Sequence, residues 1–166
     1  MNRLSHLTLG SKLGGGFATV LLLTLLVSGL GVYEMKSISA STEEIATNWL
    51  PAIKYLAQMR AASNQIRRAE ADHVMSVDAK EMEGIEKTAG EAKARLEKAE
   101  ASYAPLAIAP EEKRRYEQFK TEKAAYFAVQ EKLFALSRGG EKTMAQTKEL
   151  FRGESRERFN AAMASV

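Results

Sequence analysis

The sequence predicts an all-α protein in which one transmembrane helix continues into an up-down-up-down antiparallel four-helix bundle. Two observations support this fold class. First, residues 13–33 contain no charged side chain, and a helix of about 21 residues crosses the roughly 30 Å hydrocarbon core of a bilayer. Second, the rest of the chain repeats apolar residues at the three- and four-residue spacing of amphipathic helices, without any strand pattern.

The composition excludes several classes of function. The 166 residues carry 24 Lys and Arg against 21 Asp and Glu, a net charge of +3. Because the two signs are interspersed, we expect no nucleic-acid partner. The chain has no cysteine, so it offers neither a disulfide nor a thiolate ligand. About 130 residues follow the apolar segment, enough for one modest domain with its own core.

The flanks of the apolar segment predict its orientation. Residues 1–12 carry Arg3 and Lys12 and no acidic residue, so the positive-inside rule keeps this tail in the cytoplasm and places residues 34–166 on the other side of the membrane. A cleaved signal peptide, processed near residues 37–39, is the alternative. Its apolar region would measure about 7–15 residues, and the segment is longer, which favours a retained span.

The first helix of the predicted bundle is the longest and covers residues 34–77. Its apolar and small side chains alternate by four and three, the spacing of a coiled-coil seam. Pro51 removes a backbone donor, so we expect a bend near Asn48 and no stop. The seam comprises Ile38, Thr42, Ile45, Trp49, Ala52, Leu56, Met59, Ser63, Ile66, Glu70, His73 and Val77.

Turn signals separate three further helices. Asp78 caps the second helix and Glu81 completes a capping box, Pro110 opens the third helix, and the glycines at 139–140 end it. The fourth helix begins near Glu141, and its stripe comprises Met144, Thr147, Phe151, Ser155, Phe159, Ala162 and Val166. It needs about 43 residues to return to the membrane and has about 25. We therefore expect a truncated fourth helix and a second span beyond this sequence.

Arginine side chains mark a candidate ligand site on the first helix. Arg60 and Arg67 are seven residues apart and Arg68 follows, so they form a positive stripe beside the seam. Guanidinium groups bind carboxylates at two points, as a small acid ligand requires. The alternative is structural, since arginines that flank a seam commonly pair with acids such as Glu70 or Glu91.

Helix lengths indicate which residues face that stripe. When the antiparallel helices are aligned at their turns, Arg67 falls level with Phe151, near Ser155 and beside an aromatic wall at residues 126–127. The predicted ligand-binding residues are Arg60, Asn64, Arg67, Arg68, Thr147 and Arg152.

No catalytic motif is recognisable in the sequence. Residues 153–157 lack the final glycine of a nucleophile elbow, and no phosphate-binding loop pattern occurs. Glu70 and His73 form an E-x-x-H pair, but a di-metal site in a helical bundle needs a second such pair. We therefore expect these two residues to form a polar layer in the seam, and we predict no enzymatic activity, no metal and no cofactor.

Four short runs, taken with the basic tail and the span, carry a resemblance to a known family. They are NWLP at 48–51, QIRRAE at 65–70, YFAVQEKLFALS at 126–137 and LFRGESR at 150–156. In this order and spacing they resemble the four-helix-bundle sensor domain of bacterial methyl-accepting chemotaxis proteins over essentially the whole chain.

The resemblance implies a homodimeric chemoreceptor in the bacterial inner membrane, with residues 34–166 as a periplasmic sensor domain. Such a domain binds a small organic acid or amino acid at the dimer interface and displaces the fourth helix. A cytoplasmic part, beyond this sequence, then acts on a histidine kinase. The same sensor could instead precede a histidine kinase or a diguanylate cyclase, or be a membrane-tethered protein-interaction bundle without a small ligand.

The resemblance also assigns roles to individual residues. In aspartate-sensing members of the family, first-helix arginines and a fourth-helix threonine hold the ligand carboxylates. Arg60 resembles the first of these arginines and Thr147 the threonine. Gln65 and Ala69 stand where that pattern has its further arginines, so aspartate specificity is not implied.

Overall fold

The computed structural model describes residues 9–166, without the side chains of residues 37 and 40. Residues 1–8, which include Arg3 of the predicted tail, lie outside the described residues. Every regular element from residue 9 onward is helical, and this part of the chain contains no strand. The helices are α1 Leu9–Glu44, α2 Leu50–Met75, α3 Ala79–Tyr103, α4 Pro110–Ser137, α5 Met144–Leu150 and α6 Arg156–Ala164, with π-helical turns at Ile45–Trp49 and Phe151–Ser155 and 3₁₀ turns at Ala104–Leu106 and Gly140–Lys142.

The chain forms two units, one that ends at Thr47 and one that comprises Asn48–Val166. The first unit consists mainly of α1, whose apolar side chains are exposed along its length. By length and composition this helix is able to cross a membrane. The hydroxyls of Thr19 and Thr24 donate to carbonyls one turn earlier, at 2.8 and 2.9 Å. Both donors are therefore satisfied inside the helix.

Pro51 changes the helical pattern just before it. Proline has no N–H for the carbonyl four residues earlier, and residues Ile45–Trp49 form a π-helical turn, which widens the helix by one residue. Helical structure resumes at Leu50. As expected, the proline alters the helix without ending it, and the bend itself stays a prediction.

The second unit contains the four-helix bundle. Its fourth helix is composite, made of α5, the π-helical turn Phe151–Ser155 and α6. α2 packs along α3, and α4 packs against the fourth helix and α2. The largest apolar side chains of the core, less than 2% exposed, are Met59, Ile66, Leu96, Phe119 and Leu133. The predicted seam is thus confirmed at Met59 and Ile66, but Val77 is 85% exposed because α2 ends at Met75.

The predicted ends of the helices are partly confirmed. The Asp78 carboxylate accepts the N–H of Glu81 at 2.8 Å, and Gly140 takes a left-handed φ of +62° after α4, as a glycine permits. The capping box at Asp78 is wrong, because the Glu81 carboxylate accepts the hydroxyl of Ser76 instead. The Asp78 N–H is satisfied by the same Ser76 hydroxyl, at 3.3 Å.

The fourth helix differs from the single helix predicted from Glu141. A 3₁₀ turn covers Gly140–Lys142 and α5 starts at Met144. The π-helical turn follows, with a non-helical backbone at Gly153 (φ −94°, ψ −108°). This interruption lies at the level of Arg67, which donates to the carbonyl of Phe151.

Candidate functional site

A layer of polar side chains crosses the core of the bundle, as the sequence predicted for Glu70 and His73. Glu70, His73, Gln130 and Ser155 are completely buried. We call these four residues, together with three neighbouring polar side chains, the polar layer. Its members are Arg67, Glu70 and His73 of α2, Tyr126 and Gln130 of α4, and Thr147 and Ser155 of the fourth helix.

Arg67 joins α2 to the fourth helix. Its Nη1 donates to Glu70 Oε2 and to Ser155 Oγ, each at 2.6 Å, and its Nη2 donates to the carbonyl of Phe151 at 2.9 Å. The Ser155 hydroxyl in turn donates to Glu70 Oε2 at 2.9 Å. The guanidinium carbon also lies 4.0 Å from the centre of the Phe151 ring, a cation–π geometry. These contacts confirm the prediction that Arg67 and Phe151 lie at the same height in the bundle. They also support the alternative in which Arg67 pairs with an acid of the bundle and does not bind a ligand.

Tyr126 lies against this buried ion pair. Burial raises the pKa of its phenol, the negative charge of Glu70 raises it further, and the charge of Arg67 lowers it. The net pKa lies far above its ordinary value, so the hydroxyl stays protonated at physiological pH. The layer is also incompletely satisfied, since both amide atoms of Gln130 and Glu70 Oε1 have no hydrogen-bond partner among the described residues.

His73 lies at the end of the polar layer that is nearest the turn between α2 and α3. Its Nε2 lies 2.9 Å from Glu86 Oε1, and its ring stacks on Phe134 with centroids 4.4 Å apart. Arg138 binds the second oxygen of Glu86. Burial tends to raise the pKa of Glu86, but the hydrogen bonds from Arg138 and His73 outweigh it and lower that pKa below its usual value. This network joins α2, α3 and the end of α4.

The six predicted ligand-binding residues are distributed over several environments. Arg67 belongs to the polar layer, and the buried hydroxyl of Thr147 donates to the carbonyl of Thr143 at 2.9 Å within its own helix. Arg60 and Asn64 are exposed on α2, one turn apart, and Arg60 donates to the carbonyl of Met163 at 3.3 Å. The two remaining residues, Arg68 and Arg152, line cavities.

A cavity of about 330 Å³ lies between α2 and the fourth helix, and we call it the fourth-helix cavity. Val74, Met75, Met144 and Phe151 give it an apolar lining, to which Lys148 and Arg152 add two positive charges. Neither cation forms an ion pair within the described part of the chain. The sequence reasoning missed Lys148, although its position one turn before Arg152 places both on one helix face.

A larger groove, of about 620 Å³, lies between α2 and α3, and we call it the basic groove. Arg68 is the one predicted residue in it. The sequence reasoning missed its other cations, Lys54, Arg95 and Lys98. The available signal was the helical spacing of the two α3 cations. Arg95 and Lys98 directly precede the buried residues Leu96 and Ala99 and therefore flank the packed face of α3.

These helices define the class of the protein, an all-α four-helix-bundle domain that follows an apolar helix. Its family is shown by a sequence profile that matches residues 6–166 and is described as the four helix bundle sensory module for signal transduction. The chain belongs to this family. The predicted relationship and the all-α four-helix-bundle fold are therefore confirmed, and the family is one of sensory modules and not of enzymes.

A curated relative agrees with the family match. The chain is similar to the putative sensory transducer protein YvaQ of Bacillus subtilis (strain 168), with 25% identity over 124 residues. The aligned region covers 75% of this chain and 22% of that protein, so the chain spans about a fifth of the relative's length. No solved structure matches the chain.

Proposed function

We propose that this chain is the ligand-sensing region of a transmembrane chemoreceptor. Residues 13–33 would span the bacterial inner membrane, with the N-terminus in the cytoplasm and residues 34–166 in the periplasm. The exposed apolar surface of α1 and the positive charges of the N-terminal tail support this arrangement. Its role is binding and signalling, and its cytoplasmic partners are reached through a continuation of the chain.

The ligand in this proposal is a small carboxylate with an apolar body, and it binds in the fourth-helix cavity. The observation that carries the proposal is the pair Lys148 and Arg152 beside an apolar lining, with no carboxylate among the lining residues. A guanidinium binds a carboxylate through two parallel hydrogen bonds. The volume of about 330 Å³ lies at the small end of the usual range for ligand pockets.

The position of this cavity suggests how binding is transmitted. Its lining comes from α2 on one side and from α5 and the π-helical turn on the other. Phe151 belongs both to that lining and to the turn whose carbonyl Arg67 binds. A ligand that bridges the two sides favours one position of the fourth helix over another. Such a ligand shifts the equilibrium between the two positions of the fourth helix by the difference in its binding free energy for them.

The receptor in this proposal is a homodimer that forms along α2. Leu50, Ile53, Ala57, Arg60 and Asn64 follow heptad spacing on an exposed face, and Leu50 and Ile53 are each 59% exposed. Such a seam normally packs against a second helix. Arg60 and Asn64 lie on this face and would therefore point toward the second copy.

Disulfide crosslinking tests the dimer, because the chain has no cysteine of its own. Under oxidation, Ala57→Cys should give a covalent dimer, since Cα atoms must approach within about 7 Å for a disulfide. Ala94→Cys, on an exposed position of α3, is the control and should stay monomeric on a denaturing gel. Equal crosslinking of the two variants would contradict a dimer along α2.

Thermal unfolding of the full chain in nanodiscs tests the ligand. Benzoate and hexanoate should raise the midpoint, because a ligand at 100 times its Kd stabilises the folded state by about 2.7 kcal/mol. Neutral benzamide should give no shift, and aspartate tests whether a polar acid suffices. Arg152→Gln should abolish the shift, whereas Arg156→Gln, an exposed arginine of the same helix outside the cavity lining, should preserve it. No shift with any acid would refute this ligand class.

A further inference from the structure

The basic groove between α2 and α3 differs from the fourth-helix cavity in charge and in polarity. Its polar lining includes Lys54, Gln58, Gln65 and Arg68 of α2, and Arg95 and Lys98 of α3. No Asp or Glu is among the lining residues. Four positive charges therefore line one groove in a protein whose overall charge is only +3.

These four cations also lack the neutralising partners found elsewhere in the bundle. Arg67 pairs with Glu70, Lys123 with Glu100 and Arg138 with Glu86. By contrast, none of the four groove cations forms an ion pair among residues 9–166. Charges of one sign along a groove give it a positive potential, which a bound anion would neutralise.

The wall of the groove is held in place by a bond between its two helices. Arg95 Nη2 donates to Gln65 Oε1 at 2.8 Å. With its oxygen occupied, the Gln65 amide presents its NH₂ group as a donor. Lys98 and Arg68 add further donors, whose side chains have no hydrogen-bond acceptor among residues 9–166. The groove is therefore rich in donors, which suits an anion and not a cation.

The distribution of charge favours a ligand with several negative groups. Lys54 and Arg68 are 14 residues apart in α2, about 21 Å along a helix. Arg95 and Lys98 lie within one turn of each other on the opposite wall. The volume of about 620 Å³ is nearly twice that of the fourth-helix cavity. A single carboxylate would engage only a part of this surface.

We propose that the basic groove is a second binding site in each bundle, for a multivalent organic anion such as a di- or tricarboxylate. Arg95 and Lys98 of α3 bind its carboxylates from one side, and Arg68 binds them from α2. This site lies on a different helix pair from the fourth-helix cavity. It is therefore independent of the ligand proposed for that cavity.

Isothermal titration of the full chain in nanodiscs of zwitterionic lipid tests the groove. Citrate, succinate, acetate and sulfate are compared at one ionic strength, since screening weakens any exposed site. Affinity should fall from citrate to succinate, and acetate should give no measurable binding. The double variant Arg95→Gln/Lys98→Gln should weaken citrate at least tenfold. Lys87→Gln, an exposed lysine of α3 that does not line the groove, should leave it unchanged.

The variants also separate this proposal from the one for the fourth-helix cavity. Lys98→Arg keeps the charge and should retain citrate binding, and Arg152→Gln should not change it. Sulfate as effective as citrate would overturn the proposal, because charge alone would then explain binding. Loss of citrate binding in Lys87→Gln or Arg152→Gln, or no binding at all, would overturn it as well. None of these results affects the benzoate and hexanoate test.

Discussion

Two adjacent residues of the same type, Arg67 and Arg68, occupy opposite kinds of environment. The side chain of Arg67 is 17% exposed and makes three hydrogen bonds inside the polar layer. Arg68 is exposed in the basic groove, where it forms no ion pair with the described residues. One step along a helix rotates the side chain by about 100°, which suffices to move a guanidinium from the core to a groove.

The partner within one turn decides which role each arginine takes. Glu70 lies three residues after Arg67 on the same face and is buried, and no other cation of the described residues is bonded to it. Three residues after Arg68 stands Ala71. Asp72, one residue further on, lines a shallow pocket together with Arg68 but forms no ion pair with it in the described structure. A buried carboxylate requires a neutralising partner, so Arg67 has a structural role. Arg68 has no such partner among the described residues.

The largest expected difference between the two arginines is in stability. Arg67→Met leaves the carboxylate of Glu70 buried, with Ser155 as its remaining hydrogen-bond partner among the described residues, and breaking a buried pair in this way costs about 3–5 kcal/mol. Arg68→Met should change the free energy of unfolding by less than about 0.5 kcal/mol. Urea unfolding of the full chain in detergent, followed by circular dichroism, measures both values.

A companion variant checks the cause of that loss. In Arg67→Met/Glu70→Met no charge remains buried, so most of the lost stability should return. Similar losses for Arg67→Met and Arg68→Met would show that the two environments differ less than their contacts indicate.

A smaller effect of opposite sign is expected from Gln130, which belongs to the polar layer but has no partner for either amide atom in the described residues. Gln130→Leu should stabilise the bundle by about 1–2 kcal/mol, because an unsatisfied buried polar group costs roughly that much. Gln118→Leu, at an exposed position of the same helix, is the control, with a change close to zero. A loss of stability in Gln130→Leu would indicate that the amide is satisfied in solution.

The sequence predicted most of the bundle because local rules decide most of it. The seam from Met59 to His73, the cap at Asp78, the start at Pro110 and the glycine turn all depend on spacing or on backbone chemistry. These local features require no knowledge of which helices are neighbours. The level of Arg67 with Phe151 followed from helix lengths once the helices were aligned as an antiparallel bundle.

The fourth helix shows where such reasoning fell short, although the signal was present. Its stripe residues Thr147, Phe151, Ser155 and Phe159 are spaced by four three times in succession. Consecutive fours insert an extra partial turn, or stutter, that unwinds a coiled coil locally. The π-helical turn lies within this stretch and provides such unwinding. Spacing in one helix can thus predict a local change of pitch.

The candidate sites were harder to predict, because each depends on two helices at once. Assigning Arg67 to the polar layer required the positions of Ser155 and of the Phe151 carbonyl. The basic groove required the pairing of α2 with α3, which brings Arg95 to Gln65. From one helix alone, an arginine beside the seam fits both roles.

The π-helical turn Ile45–Trp49 also determines what an optical measurement reports. It contains the single tryptophan of the chain, and that side chain is 54% exposed. Fluorescence excited at a wavelength that only tryptophan absorbs therefore comes from one ring, which lies in the helical interruption just before Pro51. The unlabelled protein carries a fluorescent reporter at this turn, separate from Phe151, the aromatic side chain that lines the fourth-helix cavity.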